Sequence, residues 1–103
     1  MRRLNNAVVL ARTYNATTTV GTTESTAVNG MAPTDLRVPV GTTVTFANTT
    51  TKPNAHCATQ LFEGLFNFNL QPGQSATYTF TQAGEYFYND CFSPRPTGKV
   101  EVY

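Results

Sequence analysis

The sequence predicts a single all-β domain, an antiparallel β-sandwich or barrel. Residues that suit a pleated sheet, namely threonine, valine, tyrosine and phenylalanine, are frequent. Apolar and polar residues alternate in short runs, and hardly any segment shows the 3.6-residue period of a helix. Glycine, proline and asparagine interrupt the chain at short intervals, as they do between the strands of a sandwich.

The first thirty residues carry the weakest pattern. Residues 6–12 predict a first strand, and residues 13–29, mostly small and polar, predict a second strand that is irregular or lies at a sheet edge. The start after Met1 has an apolar run of only four or five residues, so we expect no signal peptide in this chain.

The central strands have a clearer pattern. Residues 36–40 alternate, but Pro39 has no backbone N–H, which predicts a sheet edge or a crossover between sheets. Residues 43–48 predict a strand with Val44 and Phe46 on one face.

A polar loop then leads to His56 and Cys57. Residues 61–70 are rich in phenylalanine and leucine and are interrupted by Gly64. We expect this segment to contribute to the core, and it is the one place where the sequence permits a short helical turn.

The last part of the chain predicts a tight turn followed by three strands. Gln71-Pro-Gly-Gln is a turn sequence, and residues 75–80 place Ala76, Tyr78 and Phe80 on one face. Residues 85–89 and 99–103 predict the final two strands.

Composition limits the function. The chain has 103 residues, 40% of them hydrophobic and 13% charged, which predicts one folded domain over residues 1–103. A net charge of +1 without a cationic cluster argues against nucleic-acid binding. No apolar stretch approaches the roughly 20 residues of a membrane span.

An ordered set of motifs resembles the cupredoxin (plastocyanin-like) family, most clearly over residues 36–103. The motifs are LxVPVGTxVTFxN over 36–48, Ala55-His56, Gly64-Leu-Phe, LxPGQSxxYxF over 70–80, GxYxY over 84–88 and TGxV over 97–100. The resemblance implies a cupredoxin-like Greek-key sandwich.

The resemblance also implies a degenerate copper site. The family's copper loop runs G-x-Y-x-Y-x-C-x-x-H-P-x-M-x-G-x-V, and a gapless match puts Asp90 at the cysteine, Ser93 at the second histidine and Pro96 at the methionine. A blue-copper centre takes two histidines and a thiolate, with a weak axial methionine. His56 matches the first ligand and is the only histidine, so we expect no metal and no cofactor.

A shifted register does not restore the centre, because it brings Cys91 to the thiolate position and Pro94 to the second histidine. The alternative that stays open is an atypical copper or other metal site built from His56, Cys91, Asp90 and Cys57. Adjacent strand residues point to opposite faces, which makes it hard for His56 and Cys57 to share one ion.

In the family's fold, the strands that carry Cys57 and Cys91 come together at one end of the sandwich. The resemblance therefore makes these two cysteines candidates for a disulfide, with two free thiols or a thiolate metal site as alternatives. A disulfide would favour an extracellular location or assembly in a particle. His56 is expected to bond to backbone or to Asp90.

Four residues form a candidate interaction patch, because aromatic and arginine side chains are enriched at protein interfaces. They are Phe92, Pro94, Arg95 and Pro96. We expect a protein partner, through self-association or within a larger parent assembly.

The sequence thus favours a non-catalytic structural or protein-interaction module, either an accessory domain or an oligomer or coat subunit. The alternative is an atypical metal-binding electron-transfer protein that uses His56 and Cys91. We expect no enzyme and no catalytic residues: Ser93, His56 and Asp90 are types found in hydrolases, but the sequence contains no sign of an oxyanion hole or a substrate cleft.

Overall fold

The computed structural model describes residues 14–20, 31–32, 35–91 and 97–103, so the strand expected over residues 6–12 lies outside the described residues. The described residues form nine strands and no helix. The strands are β1 (Tyr14–Val20), β2 (Met31–Ala32), β3 (Asp35–Val38), β4 (Thr42–Asn48), β5 (His56–Gln60), β6 (Asn67–Leu70), β7 (Ser75–Thr79), β8 (Gly84–Asn89) and β9 (Thr97–Val102).

The strands form two sheets packed as a sandwich, which confirms the predicted all-β class. The first sheet has the order β2-β1-β4-β7 and the second has the order β3-β9-β8-β5-β6. Both sheets are mixed rather than purely antiparallel, because β1 pairs with β4 and β3 pairs with β9 in parallel. These parallel pairs join segments far apart in the chain, since consecutive strands often lie in opposite sheets.

Strand β1 pairs with β4 along its whole length, but it pairs with β2 only at Thr19 and Val20. Among the described residues, the prediction of an edge strand therefore holds for Tyr14–Thr18, and it is wrong for Thr19 and Val20, which have a neighbour on each side. The side chains of β1 alternate in burial, and Thr18 and Val20 are fully buried. A threonine is stable in the core here because the Thr18 hydroxyl hydrogen-bonds the Tyr88 hydroxyl at 3.1 Å.

The prediction from Pro39 is confirmed. Strand β3 lies at the edge of the second sheet, and the chain crosses to the first sheet immediately after it. The Val40 N–H donates to the Tyr103 carbonyl and the Gly41 N–H donates to the Phe80 carbonyl, which fixes the crossover to both sheets. On β4, Val44 and Phe46 are fully buried on one face, as the alternation predicts.

The aromatic core lies between the sheets. The Phe46 ring contacts the rings of Phe66 and Tyr88 at centroid distances of 4.9 and 5.1 Å. Tyr88 lies opposite Gly98 on β9, and a Cβ at Gly98 would be 2.7 Å from the tyrosine ring. The glycine thus provides the space that this buried ring occupies.

Residues 61–66 form an irregular loop, so the short helical turn that the sequence permits here does not form. The Gln60 side chain accepts the Leu65 N–H at 3.0 Å and holds the loop in place of helical hydrogen bonds. Phe66 and Leu70 are buried as expected, but Phe62 is 88% exposed and Leu65 is 40% exposed. The core prediction therefore holds for only part of this cluster.

The turn before β7 forms as the sequence predicts. The Gln74 N–H donates to the Gln71 carbonyl at 2.9 Å, and Gly73 has a φ of 85°. Proline followed by glycine suits this geometry because only glycine adopts a positive φ at low cost. The residues that the structure describes contain no helix long and apolar enough to cross a bilayer.

Candidate functional site

The candidate site lies where the pairing between β5 and β8 ends. The ladder joins Thr59 to Asn89 and Gln60 to Tyr88. The same register, continued by two residues, places Cys57 opposite Cys91. Beyond the backbone ladder, a disulfide and hydrogen bonds made by the Asp90 side chain connect β5 to the chain that follows β8.

A disulfide joins Cys57 to Cys91, with Cα atoms 5.3 Å apart. This separation lies within the normal range for disulfides and fits a cross-strand pair. Cys57 is 7% exposed, whereas Cys91 is exposed to solvent. Both cysteines of the chain are used, so the alternative of two free thiols does not describe this structure.

Asp90 directly precedes Cys91, is fully buried, and bonds through its side chain to the segment that carries Cys57. One carboxylate oxygen, Oδ1, accepts the Cys57 N–H at 2.9 Å. The other, Oδ2, lies 2.5 Å from His56 Nδ1. A buried carboxylate needs such partners because its desolvation is otherwise costly, and hydrogen bonds to a carboxylate are among the stronger ones.

His56 begins β5 and is also fully buried. It pairs with Leu70 of β6 in the antiparallel ladder. The bond between Nδ1 and Asp90 fixes the orientation of the imidazole ring. The sequence analysis expected His56 to bond to backbone or to Asp90, and the structure contains the bond to Asp90.

Asn48, which the sequence analysis treated only as part of a family motif, organises the structure beside His56. Its Nδ2 donates to the Leu70 carbonyl at 2.9 Å and to the Asn54 carbonyl at 3.2 Å, and its Oδ1 accepts the Thr50 N–H at 3.0 Å. These bonds fix β4, the loop before β5 and the end of β6 relative to one another. An asparagine on the buried face at the end of an alternating strand is the sequence signal that points to such a role.

The residues present do not fit a type 1 copper centre. Such a centre needs two imidazoles and a thiolate. The chain has one histidine, whose Nδ1 bonds Asp90, and both sulfurs belong to a disulfide. Cys57, Asp90 and Cys91 nevertheless place one ligand atom each within 4.8 Å of one another.

The remaining predicted site residues lie outside the described part of the chain, which stops at Cys91 and resumes at Thr97. These are Phe92, Ser93, Pro94, Arg95 and Pro96. The candidate interaction patch and the Ser93 position therefore stay predictions.

Three solved structures show what the chain is similar to. A purple cupredoxin from Nitrosopumilus maritimus matches with a TM-score of 0.72 and 28% identity, over 85% of this chain and 99% of that protein. A Cu-containing nitrite reductase from Thermus scotoductus SA-01 matches with a TM-score of 0.68 and 28% identity, over 86% of this chain. This chain spans only 22% of that reductase.

An oxidised mutant of amicyanin shows the highest identity of the three, 32%, with a TM-score of 0.54 over 68% of this chain and 70% of amicyanin. No protein-family model matches the sequence, and no curated protein matches it. The likeness is thus one of fold together with moderate sequence identity.

Proposed function

The chain belongs to the cupredoxin family, and we propose that it is a non-catalytic member without a type 1 copper centre, acting as a structural or protein-interaction module. The observation that carries this proposal is the bonding of the candidate ligands to one another. His56 bonds Asp90, and Cys57 bonds Cys91. The side chains at and beside the family's copper-ligand positions therefore link β5 to the segment that follows β8.

The first test is copper binding by the oxidised protein. Cu(II) is added to the purified chain, unbound copper is removed, and copper content and visible absorption are measured. We expect no intense visible band, because that band requires a copper–thiolate bond. An intense band with one copper ion per chain would overturn the proposal and support the electron-transfer alternative based on His56 and Cys91.

Phe62 supports the interaction role. Its side chain is 88% exposed, and its backbone has a φ of 72°, a conformation that costs a non-glycine residue about 1–2 kcal/mol. Its only ring contact among those described is edge-on to Phe87, at a centroid distance of 6.4 Å. A large apolar side chain kept exposed at such a position suits contact with another protein better than it suits folding.

We take a second copy of the chain as the partner to be tested first. Sedimentation equilibrium is measured for the native chain, for Phe62→Asn and for Phe92→Ala combined with Arg95→Ala. Asparagine tolerates a positive φ, so the fold should survive the first change. Tyr103→Ser, which alters another exposed aromatic residue, serves as the control.

We expect the native chain and the Tyr103 control to self-associate, and at least one of the two surface variants to associate at least tenfold more weakly. A native chain that stays monomeric at high concentration would contradict self-association. Equal association of all variants would exclude both surfaces.

An accessory-domain role is the second form of the proposal. The match to about one fifth of a Cu-containing nitrite reductase shows that a domain of this fold occurs within a larger chain. In such a setting Phe62 and the candidate interaction patch would contact neighbouring domains.

A further inference from the structure

We infer that reduction of the Cys57–Cys91 disulfide creates a site for a thiophilic divalent cation such as Zn²⁺, with Cys57, Cys91 and Asp90 as protein ligands. This inference goes beyond the proposed function, which concerns the oxidised chain and copper. The site would make cation binding depend on redox state. It is chemically distinct from a blue-copper centre, since it has two sulfurs and a carboxylate oxygen and uses no imidazole.

The ligand geometry supports this inference. Three ligand atoms lie within 4.8 Å of one another: the sulfurs of Cys57 and Cys91 and a carboxylate oxygen of Asp90. Tetrahedral Zn²⁺ holds sulfur at about 2.3 Å and oxygen at about 2.0–2.2 Å, so its ligand atoms are about 3.5–3.8 Å apart. Side-chain rotations that move each atom by about 1 Å bring the three to this spacing.

Asp90 is held in place independently of the disulfide. The Cys57 N–H and His56 both bond its carboxylate, so breaking the sulfur–sulfur bond leaves the third ligand oriented. A carboxylate has about four acceptor positions, which allows an oxygen that already accepts one hydrogen bond to bind a cation as well. His56 then acts as a positioning residue, comparable to the partners that orient metal ligands in other sites.

The cation has an entry path. Cys91 is exposed, whereas Cys57 and Asp90 are buried behind it. Solvent therefore reaches the site at one sulfur, and a water molecule completes the four-coordinate shell of the ion.

Cation binding follows reduction of the Cys57–Cys91 disulfide. A dithiol reductant transfers two electrons and two protons to the disulfide, which yields the thiols of Cys57 and Cys91 and the oxidised, cyclic form of the reductant. Zn²⁺ then binds both sulfurs as thiolates, and two protons are released to solvent. A small-molecule disulfide reverses these steps: it takes two electrons from the thiolates of Cys57 and Cys91 and two protons from solvent, leaves as two thiols, and the re-formed Cys57–Cys91 bond releases Zn²⁺.

The test uses the full chain, reduced with a phosphine so that no added thiol competes for the metal. The phosphine is oxidised to a phosphine oxide, whose oxygen comes from water, and the disulfide is reduced to two thiols. Zn²⁺ is titrated in competition with a chromophoric chelator, and circular dichroism follows the fold. Co²⁺ replaces Zn²⁺ in a parallel titration, because its charge-transfer absorption reports bonds to thiolate.

We expect the reduced chain to bind one Zn²⁺ at least 100-fold more tightly than the oxidised chain. Cys91→Ser, at an exposed position, should weaken binding at least tenfold. Asp90→Asn retains an oxygen for the Cys57 N–H but loses the carboxylate charge, and should also weaken binding about tenfold. Asp35→Asn, an exposed carboxylate on β3, is the matched control and should bind like the native chain.

Equal affinity of the reduced and oxidised chains would overturn the inference. So would equal affinity of the reduced native chain and Cys91→Ser. Zinc binding that persists unchanged in denaturing urea would also overturn it, because the unfolded chain would then be the ligand. None of these results depends on whether the oxidised chain binds copper or a protein partner.

Discussion

Reduction of the Cys57–Cys91 disulfide should lower the free energy of unfolding by about 4 kcal/mol. The two cysteines are separated by 34 residues. The chain-entropy relation gives a loss of about 13 cal/mol/K for closing a loop of this length, or about 3.8 kcal/mol at 25 °C. For a domain of this size, that is a large part of the usual 5–15 kcal/mol.

Urea unfolding of the oxidised chain, the reduced chain and Cys91→Ser measures this effect. A loss of about 4 kcal/mol lowers the midpoint by more than about 1 M, since m is about 1–3 kcal/mol/M for small proteins. The m-value should rise on reduction, because an uncrosslinked unfolded chain exposes more surface. Cys91→Ser should behave like the reduced chain, and the reductant should not change it further.

A change below about 1 kcal/mol would refute the argument that the disulfide acts by restricting the unfolded chain. A large loss of stability in Cys91→Ser without a matching loss on reduction would refute it as well. That result would mean that the serine itself, rather than the missing cross-link, destabilises the fold.

Three further predictions concern the core and the loops beside the site. Gly98→Ala should lower the free energy of unfolding by about 1–3 kcal/mol, because the new Cβ would lie 2.7 Å from the ring of Tyr88. Tyr88 is 1% exposed and cannot move away, and thermal unfolding measures the loss of stability. Asn48→Ala should cost about 2–4 kcal/mol in urea unfolding, since it leaves the Leu70 carbonyl, among other buried groups, without the Asn48 amide. Burial raises the pKa of Tyr88 to about 12, against the smaller opposing effect of its bond to Thr18. The folded chain thus keeps this proton while the unfolded chain loses it near pH 10, so stability should be unaffected below pH 10 and fall by up to about 2–3 kcal/mol as the pH rises from 10 to 12.

Each of these predictions has a matched control. A Cβ added at Gly41 would meet nothing within 4 Å, but the residue has a φ of 93°, so Gly41→Asn tests backbone strain without a ring clash. Asn48→Asp keeps the acceptor for the Thr50 N–H but places a carboxylate oxygen against the Leu70 carbonyl, so it should lose at least as much stability as Asn48→Ala. Tyr88→Phe should lack the stability loss between pH 10 and 12. An identical pH profile for Tyr88→Phe and the native chain would exclude Tyr88 as its source.

The strands that could be predicted are those whose pattern is local. The alternation of Val44 and Phe46 predicts β4, and the proline–glycine turn before β7 fixes where that strand begins. Pro39 predicts a crossover because a missing N–H limits where it can lie in a sheet. Each of these signals depends on residues a few positions apart.

The features that could not be predicted depend on contacts between distant parts of the chain. The threonine-rich sequence of β1 suits a sheet edge, and only the structure shows Thr18 bonded to Tyr88, 70 positions away. The left-handed backbone at Phe62 is unexpected, because a phenylalanine rarely adopts a positive φ. Gly64, two residues later, also has a positive φ, which a glycine adopts at little cost. At the site, the resemblance identified Asp90 and the cysteine pair, but no sequence pattern reveals that Asp90 accepts the backbone N–H of Cys57.

That hydrogen bond decides how the end of the sandwich is held. The ladder between β5 and β8 pairs only two residues on each strand, so the segment from His56 to Ala58 depends on other links to the chain beyond β8. The disulfide restricts mainly the unfolded chain, whereas Asp90 satisfies a backbone donor and an imidazole in the folded one. The disulfide therefore contributes stability and Asp90 contributes geometry. Because these two contributions are separable, the reduced chain can lose stability and still present its two sulfurs beside an oriented carboxylate.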